Sequence, residues 1–179
     1  MDRQDVETSM EQSFDYLEAQ NFAGPVFLTP TGYARLHDEL DHLTTVKRTE
    51  IADRLRDSKD HGEFSEDNQE LDEAKFEQKL VEDRINELKT IFAQAQVLDM
   101  ETIPTDEVSV GSVVSVKDED RGIAFDIRIV ASIEANPDDD LISEESPMGV
   151  ALMGAKKGDT VEFQAPVGKL RYKVTEISR

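Results

Sequence analysis

From Thr29 onward, apolar side chains recur at Leu36, Leu40, Leu43, Val46, Ile51 and Leu55. The steps are three and four with one of five, which places these residues on one stripe of a helix. Thr29 followed by Pro30 is an N-cap type residue with a proline suited to the first turn, and the helix is predicted to run to about Lys59. Asp60-His61-Gly62 then supplies a turn. A second stripe, Leu71, Ala74, Gln78, Val81, Ile85, Leu88, Ile91 and Ala95, predicts a second helix to about Gln96. Two helices of about 28 residues rise ~42 Å and pair antiparallel along narrow seams. No repeat supplies further helices to cover them, so the pattern predicts a free-standing hairpin with an exposed tip.

After a boundary near Asp99 to Pro104 the period changes to two. Val108–Val116, Ile123–Val130, Thr160–Phe163 and Leu170–Ile177 alternate and are rich in β-branched residues, with breaks at Asp118–Asp120, Asn136–Asp140 and Pro166–Gly168. Pro147–Met153 is predicted as a short helix between them. Phe125, Phe163 and Tyr172 fall at strand positions and are expected to fill the core. The fold class is therefore α+β: a helical hairpin over 26–99, with its tip at 60–70, followed by a small α+β domain over 104–179.

The segment 1–25 carries Asp2, Asp5, Glu7, Glu11, Asp15 and Glu18 against Arg3 alone. Acidic composition favours a flexible arm, whereas Val6, Met10, Phe14 and Leu17 at helical spacing favour a short helix. Both readings of this extension stay open.

Charge narrows the function classes. Forty acidic and 20 basic residues give a net charge of −20 over 179 residues, which opposes binding to a phosphate backbone through Lys and Arg. Zero cysteines exclude disulfides, thiolate metal sites and a cysteine nucleophile, and three scattered histidines do not suggest zinc. No apolar run has the length of a membrane span, and the N-terminus lacks a signal-like core, so a soluble, cytoplasmic protein is expected.

Acidity concentrates at the predicted tip. Asp57, Asp60, Glu63, Glu66, Asp67, Glu70, Asp72 and Glu73 face only Lys59 between positions 57 and 73. Part of this charge meets the dipole of the second helix favourably. Carboxylates projected on a rod are also hard oxygen ligands for a divalent cation, and two or three of them hold Mg²⁺ only with help from other ligands. A solvated turn accounts for the same charge, and both readings stand at this point.

Four segments carry a family resemblance: Phe27-Leu-Thr-Pro-Thr-Gly-Tyr33, Leu36-His-Asp-Glu-Leu40, His61-Gly-Glu-Phe-Ser-Glu-Asp-Asn68 and Leu141-Ile-Ser-Glu-Glu-Ser-Pro-Met-Gly-Val-Ala-Leu-Met-Gly154. Together they resemble the bacterial Gre transcript-cleavage factors, GreA and GreB, over residues 26–179. The resemblance implies an antiparallel coiled coil and an FKBP-like domain that docks at the rim of the RNA polymerase secondary channel. The coiled coil then brings its tip to the polymerase active centre, next to the nascent RNA 3′ end. It implies an accessory factor rather than an enzyme, acting as a monomer, with no cofactor of its own and Mg²⁺ shared with the polymerase.

Carried over by position, the resemblance assigns Glu63, Glu66 and Asp67 as tip carboxylates that assist cleavage and share the metal, with either Glu66 or Asp67 in the place of the family Glu. It assigns Glu145, Ser146 and Pro147 to polymerase docking, and a plain strand-to-helix turn, in which Pro147 opens the helix and Ser146 caps it, accounts for the same residues. The family tip reads Gly-Asp-x-x-Glu-Asn-Ala-Glu-Tyr, so Glu63 replaces an Asp, Leu71 replaces a Tyr, and matching Asn68 and Glu70 requires one inserted residue. The altered tip keeps a rival open, a channel-occupying homologue that modulates polymerase without stimulating cleavage. Arg48, Arg54, Arg56 and Lys59 are candidates either for contacts to RNA or the channel wall or for pairing with acidic neighbours. Tyr33, Phe76 and Phe92 are expected to be packing groups. A prolyl isomerase reading rests on fold analogy alone.

Overall fold

The computed structural model describes residues 24–62 and 69–179, with positions 59–62 described by their backbone only. The tip carboxylates Glu63, Glu66 and Asp67, and the extension with Val6, Met10, Phe14 and Leu17, lie outside the described residues. A three-residue strand β1 (Val26–Leu28) leads into helix α1 (Pro30–His42), a wide π turn (Leu43–Lys47) and helix α2 (Arg48–Gly62). Helix α3 (Gln69–Gln94) returns antiparallel and passes into β2 (Ala95–Val97). Its 26 residues span about 39 Å at 1.5 Å per residue.

The predicted first helix is thus interrupted, and the step of five between Val46 and Ile51 marks the place. A π turn absorbs one extra residue, which returns Ile51 to the seam while the chain stays helical. Val46, expected on the stripe, is 41% exposed, and half-buried Lys47 lies between Leu43 and buried Ile51. Threonine hydroxyls bond to carbonyls around the widened turn, Thr44 to Leu40 at 2.8 Å and Thr45 to Asp41 at 2.6 Å. On α3, Ala74, Ile85, Leu88 and Ile91 are buried as their spacing requires, whereas Gln78 faces solvent. Phe76, expected to pack, is 63% exposed, and Leu80 one turn on is 53% exposed.

The hairpin base is closed by a parallel pairing that the periodicity did not reveal. Val26, Phe27 and Leu28 pair with Ala95, Gln96 and Val97, so the second helix ends before Ala95 rather than at Gln96. Leu28, Leu36, Leu88 and Ile91 form a core there with Ala131 from the other half of the chain, and Tyr33 packs edge-on against Phe92 at 5.1 Å. Each such aliphatic side chain contributes about 1.5–3 kcal/mol by leaving water.

The C-terminal half is a five-stranded sheet ordered β5-β4-β3-β7-β6. Its strands are β3 (Val113–Asp118), β4 (Ala124–Val130), β5 (Leu141–Ser143), β6 (Thr160–Ala165) and β7 (Gly168–Ser178). All neighbours are antiparallel except β4 and β5. Helix α4 (Pro147–Leu152) follows β5 and contributes Leu152 to a core with Val114, Val116, Ile127, Ile129, Val174 and Ile177. Tyr172 stands between Phe125 and Phe163 with edge-to-face centroid distances of 5.5 and 5.3 Å, and all three are half-buried at the margin of the core rather than filling it.

Two strand predictions needed correction. Val108–Ser112 is not strand, because its backbone groups are taken elsewhere: Val108 bonds to Ala155 and Gly154, and Ser109 N–H donates to the Ser112 hydroxyl. Leu141–Ser143, too short to show alternation, forms an edge strand. Among the described residues no helix is long and apolar enough to cross a membrane.

Candidate functional site

Glu145, Ser146 and Pro147 come together at the turn between β5 and α4. Ser146 is the N-cap of α4: its hydroxyl oxygen accepts from Gly149 N–H at 3.0 Å and donates to the Ser143 carbonyl at 2.7 Å. Pro147 occupies the first helical position, where a missing N–H costs nothing. Gly149 permits the close crossing of α4 over β5, since a Cβ there would lie 2.0 Å from the Ser143 carbonyl oxygen. The turn is rigid by construction and leaves Glu145 and Pro147 exposed.

Glu145 is held as well as exposed. Ser132 donates its hydroxyl to Glu145 Oε2 at 2.5 Å, the Ser132 and Ser143 hydroxyls meet at 2.8 Å, and Glu145 N–H donates to Ser143 Oγ at 3.1 Å. Glu144 is half-buried, and burial, with smaller contributions from Glu145 and Glu134, pushes its carboxyl above the ordinary glutamate value. Beside the turn, Ile142, Pro147, Met148, Phe163 and Pro166 line an apolar groove of about 310 Å³. Val150, 63% exposed, and Met153 extend apolar surface along α4.

The hairpin shafts are laced by ion pairs across the seam. Arg84 of α3 binds Glu39 with two nitrogens at 2.7 and 3.0 Å, Arg48 binds Glu82 at 2.7 and 2.5 Å, and Arg54 binds Glu77. The hydrogen bond from Arg48 holds the Glu82 carboxyl below its ordinary value. Arg56 pairs with Asp53 on its own helix at 3.1 Å. In the free chain Arg48, Arg54 and Arg56 thus pair with hairpin carboxylates, through ion pairs that remain solvent-exposed. Among the described residues no three acidic or histidine side chains converge on a metal-sized site.

Comparison with known proteins identifies the assembly. The family model for the N-terminal part of the transcription elongation factors matches residues 26–97, and that for the GreA/GreB C-terminal part matches residues 103–179. The chain belongs to the GreA/GreB family. It is 48% identical over 154 residues to transcription elongation factor GreA of Alkaliphilus oremlandii, covering 86% of this chain and 96% of that protein. GreA of Caldanaerobacter subterraneus subsp. tengcongensis is 44% identical over 155 residues, covering 87% and 98%. Among solved structures, GreA factor homolog 1 of Thermus thermophilus is 31% identical and covers 87% of this chain and 99% of that one, with a TM-score of 0.41.

In this GreA/GreB family member, the sequence marked the turn before α4 but gave no sign of what stands behind it. Ser132 and Glu134, in the short 3-10 turn after β4, gave no signal because neither belongs to a periodic segment. Glu134 is 1% exposed, and its carboxylate reaches Thr29 across the chain. A buried glutamate has to be matched by donors, so its partner could be sought only once the two halves were folded together.

Proposed function

We propose that this chain is a transcription elongation factor that binds bacterial RNA polymerase as a monomer and stimulates the polymerase's own cleavage of backtracked RNA. The observation that carries the reading is the presence of both family segments, in order, on one chain that has a long helical hairpin. In this reading Glu145, Ser146 and Pro147 contact the rim of the secondary channel. Ser132 keeps the Glu145 carboxylate pointed outward, and the N-cap at Ser146 keeps the turn from yielding under contact.

The hairpin enters the channel. Cross-seam ion pairs join its two arms, and its length of about 39 Å is what lets a surface-docked factor reach an interior site. Glu63, Glu66 and Asp67 then stand near the polymerase active centre and the RNA 3′ end, and their hard oxygen donors suit Mg²⁺. Magnesium in such a centre stabilises the attacking and leaving oxygens of an in-line displacement. The factor contributes carboxylates and orientation, and the polymerase contributes the remainder of the active site.

The test is a reconstituted, backtracked elongation complex with end-labelled RNA. Wild-type factor accelerates release of 3′ fragments, and simultaneous Glu63→Ala, Glu66→Ala and Asp67→Ala abolishes that release while polymerase binding persists. Binding without faster release, accompanied by slowed nucleotide addition, would replace stimulation with channel occupation. Absence of binding would remove the reading altogether.

A further inference from the structure

We propose that Glu134 is a positioning residue that fixes the direction in which the hairpin leaves the C-terminal domain, by completing the N-terminal cap of α1 from the other half of the chain. In an ordinary capping box the side chain at the third helical position reaches back to the N–H of the N-cap residue. Here the N-cap is Thr29 and the third position is Gly32, which has no side chain to reach back. Glu134 supplies the missing carboxylate. It accepts from Thr29 N–H at 2.7 Å and from the Thr29 hydroxyl at 2.5 Å, while the same hydroxyl oxygen accepts from Gly32 N–H at 3.0 Å.

The fit is mutual. A Cβ on Gly32 would lie 1.8 Å from Glu134 Oε2, so the carboxylate fills the space that a side chain at the third position would use. Gly32 has no positive φ, and the close approach is therefore the reason for glycine. Arg35, one turn further along α1, donates to the Glu134 carbonyl at 3.1 Å and ties the same short turn to the helix a second time.

Ala131 and Ile133 also pack against the hairpin base, but apolar contact is non-directional. Charge-assisted hydrogen bonds to a buried carboxylate at a helix N-terminus impose an angle. Over a hairpin of about 39 Å, a swing of about 10° at the base displaces the far end by roughly 7 Å. Active groups need placement within about 0.5 Å. The consequence for cleavage rests on the proposed function, whereas the orientation itself does not.

Because the chain has no cysteine, Lys79→Cys on α3 and Lys157→Cys in the C-terminal half can carry spin labels, and pulsed electron resonance reads the distance between them in the full-length protein. Three forms are compared: the parent, Glu134→Ala, and Gly32→Glu combined with Glu134→Ala. The double variant moves the carboxylate onto the helix, restoring an ordinary capping box without the tie to the other half. Glu134→Ala is expected to broaden the distance distribution at least about twofold and to slow stimulated cleavage on the order of tenfold, with polymerase affinity within about a factor of two.

The double variant should recover the melting temperature but neither the narrow distribution nor the cleavage rate. A distribution as narrow as the parent's in either variant overturns the proposal. If Glu134→Ala alone does not fold, the double variant decides. If the parent binds polymerase without stimulating cleavage, the function reading fails, and the distance distributions still settle whether Glu134 positions the hairpin.

Discussion

Ser132 and Glu145 are joined by a hydrogen bond of 2.5 Å that spans the gap between the end of β4 and the turn before α4. Glu145 is exposed and would otherwise sample several rotamers, so the serine makes a mobile carboxylate into a fixed one. Ser132→Ala should leave the fold intact and weaken polymerase binding by about two- to tenfold, the worth of one ordinary intramolecular hydrogen bond of about 0.5–1.5 kcal/mol. A binding titration at fixed ionic strength measures this, and unchanged affinity would mean that the carboxylate orientation does not matter.

Gly149 offers a second handle on the same turn. Its Cβ position is blocked by backbone, the Ser143 carbonyl oxygen at 2.0 Å and Glu144 Cα at 2.9 Å, neither of which can rotate away. Gly149→Ala is expected to destabilise the protein by about 1–3 kcal/mol or more and to weaken polymerase binding through displacement of α4. Urea unfolding monitored by circular dichroism gives the first quantity, and an unaltered midpoint would contradict the close crossing.

The π turn makes a prediction about chain length. Removal of Thr45 takes out one residue where one is in excess, so the wide turn can close to an ordinary helical one with Ile51 still facing α3. Stability should stay within about 1 kcal/mol of the parent. Removal of Asp83, from a regular stretch of α3, should rotate Ala74 away from the seam and cost several kcal/mol, as loss of buried aliphatic packing does. Thermal unfolding of the two deletions side by side is the measurement. Equal losses would mean that the turn has no register to spare.

Glu144 contributes one pH-dependent part of the stability. Burial and the neighbouring Glu145 and Glu134 raise its carboxyl in the folded protein, so the folded state binds the proton more tightly than the unfolded chain. Stability from this group is complete below the ordinary glutamate value and is lost as pH rises through the raised one. Glu144→Gln should therefore be more stable than the parent near pH 7, with the advantage vanishing toward about pH 4. Melting curves across that range test the sign, and a less stable glutamine variant at neutral pH would reverse it.

The hairpin was readable because a seam between two helices repeats locally. Leu36, Leu40, Ile85, Leu88 and Ile91 announce their face every three or four residues whatever the remainder of the chain does. The turn before α4 was readable for a similar reason, since Ser146 followed by Pro147 is a local capping signal. Even the interruption left a mark in the step of five before Ile51, although the mark alone does not say whether the helix bends, widens or ends. Phe76 and Val46 were misplaced because hydrophobicity reports what a residue tolerates, and burial depends on whether a partner stands opposite.

Periodicity and capping chemistry thus specified two helices, an alternating β region and an exposed Glu145–Ser146–Pro147 turn, all from interactions between residues a few positions apart. The pairing of Val26–Leu28 with Ala95–Val97 and the bond from Thr29 to Glu134, 105 positions away, came only with folding. No local pattern encodes them, because a short parallel ladder and a buried carboxylate each acquire their meaning from the groups that the rest of the molecule brings within hydrogen-bond reach.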